Sequence, residues 1–448
     1  MTGTLDYIKE YISIMEEEQL KQLLSEIRIE DLHHYWDSFS TEEQVKIFLN
    51  LDLNMKMELM DSLPNSEQEK LIQVLSVEHT TELLTEMEPD DLADFIQTVS
   101  SEVRKAVWQN LSKDAKRETL FLLKFDEDDA AGLMTPRYMA IRSGITVSEA
   151  LRFIRKNSGS VETVYYIYVL DQLKRLLGVV SLRQILASED DAKVENLMQR
   201  DLITVREQTD QEEVARELAR HDFLALPVVD TYNRLLGIIT VDDVIDVIRE
   251  EHTEDVYKMG AMDGKIDRYT GTSILGLVKK RIPWLIILLL LGTITTNVLH
   301  HYETLVISAA FLFMFIPVIT QTGGNSGNQS TTLMVRGLAT GEIHFRDIGK
   351  ILGRELFVGL LIGIGTGIII FGRSMLLPPD VTFLQAMTIG LALTFVVLFS
   401  NLIGALAPLV IYRLGFDPTV MSGPLMATVI DVVGLTIYFE TARLILGL

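Results

Sequence analysis

One carboxylate in an apolar stretch poses the first chemical question. Asp431 lies within SGPLMATVIDVVGLTIYF (422–439), a run that is otherwise apolar or small. Counted from Thr419 at 1.5 Å per residue, roughly 18 Å of helix precedes it. A charge facing lipid at that depth costs at least ~2.5–3.5 kcal/mol. Asp431 must therefore face a partner or a watery path, or be satisfied by a nearby Thr or Asn; no basic residue lies mid-span to neutralise it. The second stretch with chemical content is PVITQTGGNSGNQSTTLMVRGLATGEI (317–343). Gly323, Gly324 and Gly327 permit positive φ and close backbone approach, and Asn325, Asn328 and Gln329 can satisfy exposed backbone. No Gly-Lys-Ser/Thr follows, so it is not a phosphate loop; we read it as a tight intramembrane turn after a second span.

Acidic groups supply the third feature. They cluster at Glu88-Pro-Asp90-Asp91-x-x-Asp94, Glu212-Glu213, Asp242-Asp243, Glu250-Glu251 and Glu254-Asp255, with Asp417 further on. Of 40 Lys/Arg and 62 Asp/Glu in 448 residues, 10 and 8 fall after residue 268, which leaves 30 against 54, a charge of −24, in the first part. Such a surface repels nucleic acid and attracts cations. Zero cysteines exclude disulfides, thiolate zinc sites, iron–sulfur clusters and a cysteine nucleophile. No nucleophile–base pair stands out, so an enzyme is not expected. The N-terminal MTGTLDYIKEYISIMEEEQL has no basic region followed by an apolar core, so the acidic half is expected in the cytoplasm.

The positioning elements follow from periodicity. Up to about Leu123, apolar residues recur at three- and four-residue steps, as in Leu32/Trp36/Phe39 and Leu92/Phe95/Ile96, and Ser40-x-x-Glu43 and Ser66-x-x-Glu69 read as capping boxes. Short repeated helices suggest an α-helical solenoid over 1–125, with a plain bundle as the alternative. Residues 126–250 carry an internal duplication. LMTPRYMAIRSGITVSEAL (133–151) parallels LMQRDLITVREQTDQEEVA (197–215), and GVVSLRQIL (178–186) parallels GIITVDDVI (237–245). A charged amphipathic connector, 251–282 with a break near Gly264, leads to apolar segments at 283–302, 304–321, 350–372, 383–412 and 420–445 within a membrane domain, 283–448. Each is long enough for ~30 Å of hydrocarbon. Pro283 is expected in the first turn of its helix. With the acidic half inside, eight Lys/Arg face the cytoplasm and only Arg373 and Arg443 lie outside, so five spans place the C-terminus outside.

The duplicated unit resembles a tandem CBS pair, in which a second-strand Ser/Thr and an acid three residues later can hold an adenosyl ribose. Thr240 and Asp243 match; Ser181 has Gln184 where the acid would stand, which leaves at most one nucleotide (ATP) site, or an empty pair used for dimerisation and coupling. GGNSGNQ and PLMATVIDVVGL, joined to this soluble half, resemble the MgtE family of magnesium channels over essentially the whole length. The resemblance implies a homodimer in a bacterial inner membrane, with a pore on the subunit axis lined by Asp431, Ala427, Gly423 and Pro424. Gly423 departs from the Asn expected there. It also implies regulatory magnesium ligands at Asp91, Glu212, Asp243, Glu251, Glu254, Asp255 and Asp417, and closure of the pore when they fill. Mg2+ sheds water reluctantly, which favours a pore that keeps the hydration shell. The alternative is an ion-coupled secondary transporter for Mg2+, Co2+ or Mn2+, which should show repeated membrane halves; no repeat is visible among the spans.

Overall fold

The computed structural model describes residues 2–12, 15–262, 272–421 and 423–448. The chain divides into two compact units, Met1–Arg249 and Glu250–Leu448.

The first unit opens with short helices, α1 (Thr2–Tyr11) through α10 (Lys113–Leu122), among them α4 (Thr41–Asn50), α6 (Asn65–Val74) and α8 (Pro89–Thr98). Alternate helices stack: the second on the fourth, the third on the fifth, the fifth on the seventh, the seventh on the ninth, and α8 on α10. That next-but-one packing is solenoid packing, and a continuous core from Ile8 to Ala115 runs through it, with Trp36, Phe48 and Phe95 buried. Ser40 and Glu43 form the expected reciprocal cap of α4. The Ser66 cap is corrected: α6 starts at Asn65 behind Pro64, so residue 66 is already helical.

Two three-stranded sheets follow. In one, β1 (Tyr138–Arg142) pairs parallel with β2 (Thr163–Leu170), which pairs antiparallel with β3 (Leu176–Ser181). The helix α11 (Val147–Asn157) crosses from β1 to β2, and α12 (Leu182–Leu186) follows β3. The second sheet repeats the plan with β4 (Val205–Arg206), α13 (Gln211–His221), β5 (Ala225–Val229), β6 (Leu235–Thr240) and α14 (Val241–Met259). The repeats interlock. Thr135 bridges to Ile238 and Gln199 to Val179, so the segment ahead of each repeat completes the other repeat's sheet. A Cβ at Gly178 would meet the Met198 side chain, and one at Gly237 the Met134 side chain, so glycine is what lets each methionine sit on the opposite sheet.

The second unit begins within α14 and continues with α15 (Ile274–His301), the short α16 (Glu303–Ser308), α17 (Phe311–Ala339), α18 (Ile348–Leu376), α19 (Phe383–Arg413) and α20 (Pro424–Leu446). Three stretches, Ile274–His301, Phe345–Leu376 and Phe383–Arg413, are long and apolar enough to cross a membrane by length and composition. α17 and α20 carry the polar stretch and Asp431, respectively. Pro283 lies inside α15 rather than in its first turn. The expected span at 304–321 is split between α16 and the start of α17. Gly264, the expected break in the connector, lies outside the described residues.

Candidate ion pathway and cation-sensing sites

The polar stretch is helix, not turn. α17 runs unbroken from Phe311 to Ala339 through every glycine of GGNSGNQ, so the reading of 317–343 as a tight turn is corrected. An α-helix satisfies its own backbone, and the glycines serve packing instead. A Cβ at Gly327 would collide with the Ile430 side chain and lie 3.1 Å from the Ser400 carbonyl oxygen; one at Gly404 would strike the Gly327 backbone. A Cβ at Gly323 would crowd the Val396 side chain at 2.8 Å and touch Ile430 at 3.4 Å. α19 and α20 thus press into a groove on α17, and Ile430 is wedged there, 1% exposed.

That wedge aims the acid. With 3.6 residues per turn, consecutive side chains stand about 100° apart, so seating Ile430 inward turns Asp431 to the flank of α20. Asp431 is half-buried and, among the described residues, takes no hydrogen bond or ion pair. The option of a Thr- or Asn-satisfied structural acid is therefore not what the geometry shows. Gly423, Ala427 and Asp431 fall at four-residue steps, on one face. α20 starts at Pro424, so Asp431 lies only roughly 10 Å along it, shallower than a count from Thr419 gives. Gly423 caps the helix at φ 57°, ψ −123°, and a Cβ there would run into the Met259 carbonyl oxygen at the end of α14. Glycine at this position therefore lets the connector backbone touch the start of α20.

A second intramembrane carboxylate escaped the sequence reading. Glu355 on α18 is 8% exposed, and the Ser330 hydroxyl of α17 donates to it at 2.8 Å. The same hydroxyl lies 3.1 Å from the Asn401 carbonyl of α19, while Ser326 donates to the Asn401 side chain at 2.7 Å and Thr331 to the Gly404 carbonyl at 3.1 Å. The signal was present: Glu355, Gly359, Gly363 and Gly367 recur every four residues, a small-residue helix face that marks the packed side of a membrane helix.

Two candidate sensing acids, Glu254 and Asp417, meet at Lys258. Lys258 on α14 is 2.7 Å from Glu254 and 2.7 Å from Asp417, which belongs to the segment between α19 and α20. Burial works against the charge on Lys258, but hydrogen bonds and attraction from Asp417 and Glu254 outweigh it and hold the ammonium's pKa above its ordinary value. For Asp417, burial is likewise outweighed: Lys258 and the Thr419 hydroxyl and amide hold its carboxyl below the usual range. Glu251 and Asp255 lie on the same helix, α14.

The other acids converge where α8 meets the second sheet. Asp90 is 6% exposed and one of its carboxyl oxygens has no hydrogen-bond partner among the described residues. Burial pushes its pKa well up, helped by the charges of Asp243, Asp91 and Glu88. Glu162 is raised for the same reasons, burial first and then Asp243 and Asp242. The buried member of this cluster is Asp90, the neighbour of the Asp91 selected from sequence. Glu212, at the start of α13, is 3.7 Å from Arg216. Among the described residues, no three His, Asp or Glu are already arranged to hold a metal ion.

Thr240 and Asp243 are in contact, the hydroxyl donating to the carboxylate at 2.5 Å and the Thr240 amide at 3.2 Å. Ser181 and Gln184 form the equivalent reciprocal cap of α12, with a neutral amide in place of the acid.

Comparison with known proteins places these features in a family. Residues 316–441 match MgtE, described as a divalent cation transporter; 27–128 match the MgtE intracellular N domain; 130–190 and 194–250 match CBS domains. A magnesium transporter MgtE of Thermus thermophilus is 42% identical over 95% of this chain and 95% of its own. Another, from Enterococcus faecalis, is 36% identical over 72% of this chain and 70% of its own. A crystal structure titled as the cytosolic domain of the Mg2+ channel MgtE in complex with ATP matches with a TM-score of 0.52 and 38% identity, covering 54% of this chain and 98% of that one. With an acidic helical solenoid, a CBS pair and long apolar helices in one chain, this protein belongs to the MgtE family of magnesium transporters.

Proposed function

We propose that the protein is a homodimeric, magnesium-selective channel that admits Mg2+ through the bacterial cytoplasmic membrane and closes when Mg2+ fills its acidic cytosolic domains. The observation that carries permeation is Asp431: a half-buried carboxylate on α20 without a partner among the described residues, held in its facing by Ile430 in the α17 groove. Two such carboxylates, one per subunit, accept hydrogen bonds from the ion's water shell, and Ala427 and Gly423 with Pro424 line the approach on the same helix. Five spans, α15 and α17 to α20, cross the bilayer with the N-terminus in the cytoplasm and the C-terminus outside. The functional parts are 1–125, 126–250, the connector 251–282 and the membrane domain 283–448. The protein is a conduit, not an enzyme.

Gating follows from charge. The −24 of the first 268 residues is self-repulsive, and Mg2+ bound among Asp91, Asp243, Glu212, Glu251, Glu254, Asp255 and Asp417 relieves it; the buried Asp90 belongs with this set. Moving a two-state equilibrium from 1:99 to 99:1 takes about 5.5 kcal/mol of differential binding, and one ion with a tenfold preference supplies ~1.4 kcal/mol. About four sites are needed, so closure is cooperative in Mg2+. ATP occupies the second CBS repeat through Thr240 and Asp243, a reading supported by the ATP complex of the similar cytosolic domain.

Single-channel recording in planar bilayers tests the core of this. Asp431→Asn should abolish magnesium selectivity or conduction while a folded dimer still inserts. Wild-type selectivity in that variant would sink the assignment.

A further inference from the structure

We propose that Lys258 is a tethered cation that competes with Mg2+ for Glu254 and Asp417, and so sets the magnesium concentration at which the connector locks to the membrane domain. The inference rests on the gating reading above and specifies its regulation.

The geometry is that of an occupied cation position. The Lys258 ammonium is held at 2.7 Å by a Glu254 oxygen one helical turn back and at 2.7 Å by an Asp417 oxygen from the segment leading into α20. A magnesium ion takes oxygens at about 2.0–2.1 Å in a near-octahedral shell, so the ion and the ammonium cannot both sit between these two carboxylates. Displacement is sterically simple. Lys258 is 31% exposed, and its stem is flexible enough to swing into water. The exchange also changes the charge: two carboxylates with one ammonium leave −1, whereas with a divalent ion they reach neutrality.

The neighbouring contact explains why this position matters. Met259, the next residue, places its carbonyl oxygen against Gly423 at the start of α20, where no side chain could stand. Whatever holds residue 258 therefore also holds the connector's end against the helix that carries Asp431. With Lys258 in place the contact exists without metal, through two partly exposed ion pairs of modest strength; with Mg2+ it is tightened. The lysine thus keeps the sensor preformed and raises the concentration at which the metal takes over.

The test uses full-length protein in lipid nanodiscs, titrated with MgCl2, with proteinase K cutting of the connector as readout and no dependence on transport. Wild type should be protected with a defined midpoint. Lys258→Met keeps the stem and removes the charge; its midpoint should fall about three- to tenfold, the range that loss of two competing, partly exposed ion pairs produces. Asp417→Asn, which removes a ligand shared by both cations, should raise it. An unchanged or higher midpoint in Lys258→Met, with Asp417→Asn shifted as expected, overturns the competitor role and leaves the gating reading standing. If magnesium does not protect wild type at all, the gating reading fails and the competitor role with it. Should Lys258→Met prove poorly folded, Lys258→Gln provides the same comparison with a polar neutral side chain.

Discussion

The Ser330 hydroxyl sits between the Glu355 carboxylate at 2.8 Å and the Asn401 carbonyl at 3.1 Å, so one side chain ties α17, α18 and α19 together inside the membrane half. Truncating Glu355 to Ala removes a hydrogen bond to a charged group and leaves the Ser330 hydroxyl with the Asn401 carbonyl alone, at a cost of about 1.5–3 kcal/mol. Glu355→Gln keeps an acceptor at the same reach and should lose much less. Thermal unfolding of the detergent-solubilised chain separates the two; equal losses would mean that the acid is not held through Ser330.

Gly404 and Gly324 make a matched pair for a packing test. A Cβ at 404 meets the Gly327 backbone, whereas one at 324 meets nothing among the described residues within 4 Å. Gly404→Ala should therefore destabilise by about 1–3 kcal/mol through overpacking. Gly324→Ala should be neutral or gain up to ~1 kcal/mol from helix propensity. The reverse order in a melting experiment would refute the groove described for α17.

Asp90 makes a prediction in pH. Burial and the charges of Asp243, Asp91 and Glu88 raise its pKa in the folded protein, while in the unfolded chain it titrates near ~3.9. Between those values the folded state holds a proton that the unfolded state has released, so this group's contribution to stability is full below its unfolded value and declines as pH rises through the folded one. In chelator, Asp90→Asn should flatten that decline and raise the melting temperature of the first unit at neutral pH. Magnesium should narrow the gap between variant and wild type. Identical pH profiles for the two proteins would contradict the assignment.

For the nucleotide, calorimetry on the full chain should show ATP binding, weakened roughly tenfold or more in Asp243→Asn by loss of a charged hydrogen-bond acceptor. Gln184→Ala should leave the affinity unchanged, because the first repeat offers no carboxylate. Absence of heat with ATP in wild type would remove the nucleotide from the mechanism without touching permeation.

Much of this protein was legible in the sequence because the signals are local. Helical periodicity with Ser/Thr caps gave the N-terminal helices, duplicated segments gave two sheets of the same plan, and one acid in an apolar run gave Asp431. Where local signals conflicted, the sequence misled. Glycine and asparagine clustered in 323–328 favour a turn by propensity, yet α17 stays helical, because in a membrane half the close approach of α19 and α20 requires residues without side chains. Glu355 stands near the start of α18, and it is the packing of that helix's glycine face that buries it.

Other features depended on distances along the chain that no periodicity encodes. The interlock of the CBS repeats, with Met134 on Gly237 and Met198 on Gly178, joins residues of different repeats. The burial of Asp90 beside Asp243 brings together acids from a solenoid helix and a sheet-following helix. Lys258 meets Asp417 across 159 residues of chain. The sequence by itself determined which residues carry charge and which segments are helical, since both are properties of near neighbours. Which charges face one another, and which glycines are contact surfaces rather than turns, was decided only by tertiary packing, because burial and ion pairing arise between elements brought together by the fold.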